Sequence, residues 1–420
     1  MNNLIKITFF ILLISCGNEV KHEIIHIKYE NNIKKDLMFL SDDKLEGRKT
    51  GTNGEKLAAK YISERFEKLK LSDKGTKNYY QDFYFNSKTN PHEEIEFMQT
   101  ADNNKIHARN VVGFLDNGGS QTVVIGAHYD HLGYGEESSL YFGNDILIHN
   151  GADDNASGTS LMLDLANKLV TKDLKSNYLF IAFSGEEMGL LGSNYFLKNP
   201  TISKDEINYM INMDMVGRLN EDNKLSVSGI GSAKIFKQII NSNNNNFNLV
   251  EFGSSSNSSF GSSDHASFYY EDIPVLSFFT GQHEDYHKPS DDYDKINFEG
   301  IEKISGYIVD IIEELDSMEK LKFIKTQETK NATPRFKVGL GVMPDYLYDG
   351  GGMKISAITS DEKPAGKAGL QKNDIVIKMG DINVIDLTSY MNALSTFKEG
   401  DITKIQVKRD DQILDFTIKF

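Results

Sequence analysis

Four short apolar runs constrain the fold of this chain more than any other feature. They predict buried strands at residues 122–127, 178–184, 207–213 and 274–280. Between the first two, residues 161–170 have the length and apolar spacing of a helix. Buried strands that alternate with helices are typical of an α/β fold, with a mostly parallel, mixed sheet flanked by helices on both faces.

Two further helices and two polar stretches set the limits of this region. Residues 55–69 place apolar side chains on one helical face, and residues 301–315 do the same at the far end. Residues 241–248 and 253–263 are compositionally loops. We therefore expect one domain over residues 35–318, a polar linker over 319–334, and a small β-rich domain over 335–420.

The N-terminus has the pattern of a secretory signal. Lys6 precedes an apolar run at residues 7–14, which is far shorter than the ~20 residues needed to span a bilayer. Cys16 follows this run and is the only cysteine in the chain, an arrangement that resembles a bacterial lipobox. We expect residues 1–16 to be a lipoprotein signal peptide with Cys16 as lipidation site, and residues 17–34 to be a tether. This makes the protein an exported, cell-envelope lipoprotein; the alternative is an ordinary signal peptide with an incidental cysteine.

The charge balance bears on partners rather than on catalysis. Lys and Arg number 46 against 61 Asp and Glu, for a formal net charge of -15. An acidic surface repels phosphate backbones, and the chain has no dense basic patch, so nucleic acid is not an expected partner. A single cysteine cannot form a disulfide within the chain.

Residues that can bind metals or transfer protons follow each predicted strand. The carboxyl ends of parallel strands meet at one edge of a sheet, where ligands bind. Each residue alone is compatible with a helix cap or a solvated loop. Several carboxylates buried together, however, are costly unless cations neutralise them. Nitrogen and oxygen ligands without thiolates suit zinc, with cobalt or manganese as possible substitutes. The residues concerned are His128, Asp130, Asp153, Asp154, Glu186, Glu187, Asp214, Tyr286 and His287.

These residues lie in motifs that resemble the co-catalytic zinc aminopeptidases. That family includes bacterial leucyl aminopeptidases, glutamate carboxypeptidases and, more distantly, glutaminyl cyclases. The resemblance extends over residues 35–315 with the motifs in the right order, and it implies a zinc exopeptidase-like fold and peptide substrates. The motifs are His128-Tyr129-Asp130, residues 151–158 (GADDNASG), 183–187 (FSGEE), 212–217 (NMDMVG) and 287–291 (HKPSD).

The resemblance implies two zinc ions per chain. Asp153 would bridge both ions and be followed by a cis peptide bond to Asp154. The other four ligands would divide into two pairs, His128 with Asp214 and Glu187 with His287.

The resemblance also separates a catalytic residue from the ligands. Glu186 would be the general base, which removes a proton from water and passes it to the leaving amine. Successive residues leaving a strand point in different directions, so Glu187 can bind metal while Glu186 faces the water. Asp130 would accept a hydrogen bond from His128 and fix its tautomer.

Several neighbouring residues are candidates for lesser roles. Asp264, His265 and Tyr286 are candidate substrate contacts, with loop scaffolding as the alternative for the first two. Arg218 is a candidate partner for a substrate carboxylate. The remaining expectations are that His131 supports its loop, that His149 and His283 are solvated, and that Asp291 supports the loop of His287.

Residues 335–420 resemble a PDZ domain of the type found in bacterial envelope proteases. The matching stretches are Val338-Gly339-Leu340-Gly341, residues 364–370 and residues 373–376. The resemblance implies that a peptide or protein C-terminus adds a strand to the sheet edge, with its carboxylate at the glycine loop. The alternative is a structural appendage without affinity for peptides.

Three functional hypotheses follow from the sequence. The first is an exopeptidase, in particular an aminopeptidase, although carboxypeptidase and dipeptidase activities stay open. The second is a glutaminyl cyclase that uses one zinc. The third is a non-catalytic surface receptor that binds peptides, which is disfavoured because every expected ligand and the base are present.

Overall fold

The computed structural model describes residues 31–86, 95–98, 105–251, 263–326, 338–345, 347–348, 350–410 and 412–420. The predicted signal peptide with Cys16, most of the predicted tether, and residues 327–334 of the predicted linker lie outside these ranges. Among the residues described, no helix combines the length and the apolar character needed to cross a membrane.

The first domain is built on a ten-stranded sheet. Its spatial order is β3-β2-β4-β6-β5-β7-β10-β8-β9, and β1 pairs with β4. The central pairs β6–β5, β5–β7 and β7–β10 are parallel, whereas β4 and β8 pair antiparallel with their inner neighbours. The strands are β1 (Ser72–Asp73), β2 (Tyr80–Phe85), β3 (Phe97–Met98), β4 (Ile106–Leu115), β5 (Thr122–His128), β6 (Asn177–Phe183), β7 (Ile207–Met213), β8 (Lys224–Ser228), β9 (Asn248–Glu251) and β10 (Val275–Phe279).

Helices pack on both faces of this sheet, which confirms the predicted α/β class. Alternate side chains of β6 enter different cores because the side-chain direction reverses at each residue. Phe180 packs with α1, α2, α3 and α7 on one face, and Ile181 packs with α4 and α6 on the other. The helices are α1 (Ile33–Leu40), α2 (Asn53–Lys68), α3 (Gly158–Leu169), α4 (Leu191–Lys198), α5 (Phe236–Ser242), α6 (His265–Tyr270) and α7 (Phe298–Asp316).

The C-terminal region forms the small β-rich unit that the sequence predicts. Its strands are arranged in the order β11-β12-β13-β15-β16, with β14 paired to β13, and they enclose a separate apolar core. The elements are β11 (Val342–Pro344), β12 (Met353–Ile358), α8 (Pro364–Ala368), β13 (Ile375–Met379), β14 (Ile382–Asn383), α9 (Leu387–Ser395), β15 (Ile402–Arg409) and β16 (Gln412–Lys419).

The ends of the first domain differ slightly from the predicted limits. Helix α1 starts at Ile33, within the last two residues of the predicted tether. Beyond α7, the start of the predicted linker packs on the first domain. The Leu321 N–H donates to Oδ1 of Asn208 (2.7 Å), and the centroid of the Phe323 ring lies 5.2 Å from that of Tyr269.

Candidate metal centre

The carboxyl ends of β5, β6 and β7 bring the predicted motifs together. His128 is the last residue of β5 and lies beside Phe183, the last residue of β6. Glu186 and Glu187 follow β6, and Asp214 follows β7 directly. A tight helical turn at Ala152–Ser157 leads into α3 at the same edge, and the segment after β10 carries His287.

Two groups of potential ligand atoms lie at this edge. Within each group, the atoms lie within 4.8 Å of one another. One group is His128, Glu186 and Asp214, and the other is His131, Asp154 and Glu187. Asp154 lies between two imidazoles. Its Oδ1 is 3.4 Å from Nε2 of His128, and its Oδ2 is 3.2 Å from Nε2 of His287.

The residue at the shared position is Asp154 and not Asp153, which corrects the sequence expectation. The Asp153 carboxylate is turned away from the strand ends. Its Oδ1 accepts a hydrogen bond from the Gly217 N–H (2.6 Å), and its Oδ2 lies 3.1 Å from Nε2 of His283. The cis peptide bond is likewise one residue later than predicted, between Asp154 and Asn155.

Asp291 fixes the backbone of both aspartates. Its Oδ2 accepts hydrogen bonds from the N–H groups of Asp153 (2.9 Å) and Asp154 (3.1 Å), which fixes the backbone of both residues. Asp291 therefore supports the GADD segment as well as belonging to the His287 segment. Its Oδ1 lies 3.2 Å from the guanidinium of Arg218, which also pairs with Asp285 at 3.1 Å. Arg218 is thus engaged within the protein, contrary to the expectation that it meets a substrate.

The other four predicted ligands converge as expected. Nε2 of His128 lies 3.4 Å from Oδ1 of Asp214, and Nε2 of His287 lies 3.3 Å from Oε2 of Glu187. Nδ1 of His287 lies 2.8 Å from the carbonyl oxygen of Ser138, which orients the ring. The ligand-type atoms therefore face one another across Asp154.

Asp130 is buried beside His128 but does not bond to it as predicted. Its Oδ1 is 3.7 Å from Nδ1 of His128, beyond hydrogen-bond distance, and that nitrogen is 3.2 Å from the backbone oxygen of Asp130 instead. The carboxylate accepts from the Glu186 N–H (3.1 Å) and from the Thr50 hydroxyl (2.9 Å). Asp130 therefore connects the loop after β5 with the loop that carries the predicted base.

The Glu186 carboxylate lies at the edge of the centre, near His128. Its Oε2 lies 4.0 Å from Nε2 of His128, and 13% of its side chain is exposed. Burial raises the pKa of Glu186 well above its ordinary value.

The candidate substrate contacts also lie around the centre. The ring of Tyr286 stacks on that of His287 with a centroid separation of 3.8 Å. Asp264 and His265 are buried at the start of α6. Burial raises the pKa of Asp264 to about 7, and the charges of His128 and Asp214 also influence it, which places this carboxyl close to the centre.

The electrostatics of the centre fit divalent cations. Burial opposes protonation of His128 and His287, yet the facing carboxylates raise the pKa of both, that of His287 to about 11. Burial and Asp154 act to raise the pKa of Glu187, but the hydrogen bonds with His131 and His287 lower it to about 2. The imidazolium protons thus balance the carboxylates. A metal ion takes the place of such protons when it binds, and the nitrogen and oxygen donors suit zinc.

Three histidines have more defined positions than the sequence indicates. Nδ1 of His131 lies 2.8 Å from Oε1 of Glu187, so it supports a ligand as well as its loop. His149 is buried and His283 is half-buried, so neither is freely solvated. His149 contacts the Ser139 hydroxyl at 2.7 Å, and His283 contacts Asp153. No feature of a single sequence identifies these pairings, because the partners lie far apart along the chain.

Arg48 is a buried residue that the sequence reasoning missed. Its guanidinium donates to the carbonyl oxygens of Tyr129 (2.7 Å), Asn150 (2.7 Å) and Gly151 (3.1 Å), and also to that of Leu40. Tyr129 lies between His128 and Asp130 in the sequence, and Gly151 directly precedes the helical turn at Ala152–Ser157. One buried cation therefore holds both ligand loops.

The grouping of histidines and carboxylates at the strand ends is the arrangement expected of a zinc-exopeptidase-type domain. Residues 110–312 match the model of peptidase family M28, and residues 335–420 match that of the PDZ domain. The chain therefore contains a region that matches peptidase family M28 and, C-terminal to it, a region that matches the PDZ domain, as the motifs indicate.

Relatives of known description agree with this assignment. Aminopeptidase YwaD of Bacillus subtilis is 30% identical over 226 residues, which cover 51% of this chain and 46% of YwaD. The chain thus spans less than half the length of that relative. The zinc aminopeptidase BSAP from Bacillus subtilis superposes with a TM-score of 0.51 at 18% identity, over 71% of this chain and 99% of BSAP. A glutaminyl cyclase from Bacteroides thetaiotaomicron gives a TM-score of 0.53 at 16% identity, over 68% and 98%. The fold alone is therefore shared by both activities.

Proposed function

We propose that this protein is a zinc-dependent aminopeptidase with two zinc ions per chain. The observation that carries the proposal is the placement of Asp154 between His128 and His287, each of which faces a second carboxylate. His128 and Asp214 would hold one ion, Glu187 and His287 the other, and Asp154 both.

The residues of the chain divide the chemistry between binding and proton transfer. Bound zinc supplies Lewis acidity, which activates the peptide carbonyl and makes water more acidic. The Glu186 carboxylate takes the proton from the attacking water and returns it to the leaving amine. Asp130 keeps Glu186 in place by accepting its backbone N–H.

The complete second set of ligands favours a peptidase over a one-zinc glutaminyl cyclase. Both His128 and Asp214 are present and face each other, and a one-zinc enzyme needs no such pair. The name of the relative YwaD, an aminopeptidase, supports the same activity.

The test is Glu186→Gln in the full chain, with a panel of aminoacyl and peptide substrates. We expect zinc content to stay near two per chain by elemental analysis while turnover falls by roughly 10²- to 10⁴-fold, the usual contribution of a general base. Glu136→Gln is the matched control, because Glu136 is an exposed glutamate paired with Lys49. Near-normal turnover in the Glu186 variant, or one zinc per chain with cyclisation of N-terminal glutamine, contradicts the proposal.

We also propose that the protein is exported and anchored by a lipid at Cys16. The support is the charged N-terminus, the short apolar run and the position of the single cysteine. Metabolic labelling with a radioactive fatty acid should mark the wild-type protein and leave Cys16→Ser unlabelled. Equal labelling of both proteins contradicts the assignment.

A further inference from the structure

The PDZ domain has an open sheet edge next to a glycine loop. Strand β11 is the end strand of its sheet and pairs only with β12 among the residues described. Gly339-Leu340-Gly341 precedes it. Leu340 is buried and its carbonyl accepts from the Ala365 N–H (2.8 Å), while the Gly341 carbonyl accepts from the Thr359 N–H (3.0 Å). The carbonyl oxygens of this glycine loop are therefore held by hydrogen bonds from within the PDZ domain.

The amide groups of this loop provide a site for an anion. Within the described part of the chain, the N–H groups of Leu340 and Gly341 donate to no other group. Gly341 has φ +83°, a conformation that places successive N–H groups on one side of the backbone. Such a loop next to an open strand binds a peptide carboxylate, and the rest of the peptide extends the sheet.

The position of the carboxylate determines the direction of the peptide. With its C-terminus at the loop before β11, the peptide lies antiparallel to β11, and its N-terminal part leaves past Pro344. Proline has no N–H to donate, so Pro344 shortens the ladder of hydrogen bonds at this point. The peptide is therefore held at its C-terminal end and continues past Asp345 toward Leu347.

Leu347 and Lys372 contact the peptidase domain next to the metal centre. Leu347 is 7% exposed and packs against Gly281, where an added methyl group would lie 2.6 Å from Cδ1 of Leu347. Nζ of Lys372 in the PDZ domain lies 3.9 Å from Oε2 of Glu284. Gly281 and Glu284 belong to the segment that carries His283 and His287. A peptide leaving β11 in this direction thus approaches the candidate catalytic site with its N-terminus first.

We propose that the PDZ domain binds the C-terminus of the peptide substrate itself and directs its N-terminus to the zinc centre. The inference rests on the proposed aminopeptidase function and names its substrate class, which is oligopeptides with a free α-carboxylate. The six residue steps from Gly341 to Leu347 correspond to roughly 20 Å of extended chain at ~3.4 Å per residue. A peptide that spans this stretch therefore needs about seven residues, and one that also reaches the zinc centre needs more.

The experiment compares peptides that share an N-terminal sequence and differ in length, from four to fourteen residues, each with a free carboxylate or a C-terminal amide. The enzyme is the full-length, zinc-loaded protein. Engagement at both ends raises the effective concentration of the N-terminus at the site. We expect KM of the long free-acid peptides to be at least tenfold below that of their amides, with equal KM for the two four-residue forms.

A direct binding measurement separates the PDZ domain from catalysis. Gly339 has open space where a side chain would begin, so Gly339→Glu and Gly339→Gln differ only in charge. In a Glu186→Gln background, fluorescence anisotropy should show that G339E weakens binding of a long, labelled free-acid peptide at least tenfold more than G339Q does. An N-acetylated free-acid competitor should raise KM for the long substrates and not for the short ones.

The outcomes distinguish the inference from the proposed function. Hydrolysis of short peptides with no difference between acid and amide at any length overturns the inference and leaves the aminopeptidase standing. Tight binding of free-acid peptides without a lower KM also overturns it, because the PDZ domain then serves a separate partner. If no peptide is hydrolysed, the proposed aminopeptidase function is itself contradicted.

Discussion

Replacement of Arg48 by lysine measures how far the two ligand loops depend on one buried cation. Burial lowers the pKa of Arg48 to about 10, so the guanidinium is still charged at neutral pH. Its nitrogens reach four carbonyl oxygens that lie in different directions, those of Leu40, Tyr129, Asn150 and Gly151. A lysine keeps the charge but concentrates its donors on a single nitrogen, so it cannot reach all four.

The expected loss follows from the number of carbonyls left without a donor. A buried polar group that loses its partner costs about 1–3 kcal/mol, so two such groups cost roughly 2–6 kcal/mol of unfolding free energy. At ~2–4 °C per kcal/mol for a domain of this size class, we expect the melting temperature of Arg48→Lys to fall by about 10 °C. Zinc affinity, measured by competition with a chelator, should fall by roughly 10- to 100-fold, as for other residues that support ligands.

Arg65→Lys provides the control in the same domain. Arg65 is also buried, but it pairs with the Asp36 carboxylate at 3.0 Å, a contact that a lysine can keep. We expect a smaller loss of melting temperature and unchanged zinc affinity. If Arg48→Lys melts within about 2 °C of wild type and binds zinc equally well, the idea that Arg48 holds the loops is wrong.

Two further predictions concern neighbouring carboxyl groups. Asp154→Asn should lower zinc content well below two per chain by elemental analysis, whereas Asp153→Asn should retain zinc, because only Asp154 lies between the His128 and His287 imidazoles. Equal loss of zinc in both variants contradicts this assignment. Burial raises the pKa of Glu55 to about 7 from its ordinary value of 4.5. The protonated side chain therefore favours the folded state, fully below pH 4.5, and this contribution to stability is lost as the pH rises through 7. Relative to wild type, Glu55→Gln should therefore become more stable as the pH rises from 5 to 8, by up to about 3 kcal/mol at ~1.4 kcal/mol per pKa unit. A difference between the two melting temperatures that does not change with pH contradicts the prediction.

The central fold was predictable from the sequence because its signals are local. Strand β6 consists almost wholly of apolar residues, as a parallel strand covered on both faces requires, and the predicted strand at 178–184 differs from Asn177–Phe183 by one residue at each end. The outer strand β2 shows alternating burial instead, and its mixed sequence, YQDFYF, gave no apolar run to detect. Strands at the antiparallel edge were therefore missed.

The choice between Asp153 and Asp154 was not predictable, because their chemistry is identical and their sequence context is the same turn. The backbone of this turn is fixed by Asp291, which lies 138 positions beyond Asp153 and accepts hydrogen bonds from the N–H groups of both aspartates. The pairing of His283 with Asp153 is likewise a long-range contact, since the two residues are 130 positions apart. Contacts of this kind depend on the completed fold and leave no periodic signal in the sequence.

Pro344 also bears on how the protein avoids self-association. An exposed edge strand is a template on which other chains can add sheet, and proteins limit this risk with short strands and prolines. Strand β11 has both features, because it covers only Val342–Pro344 and ends in a residue without an N–H. The edge can therefore accept the end of one peptide, while growth of an intermolecular sheet along it is blocked after a few residues.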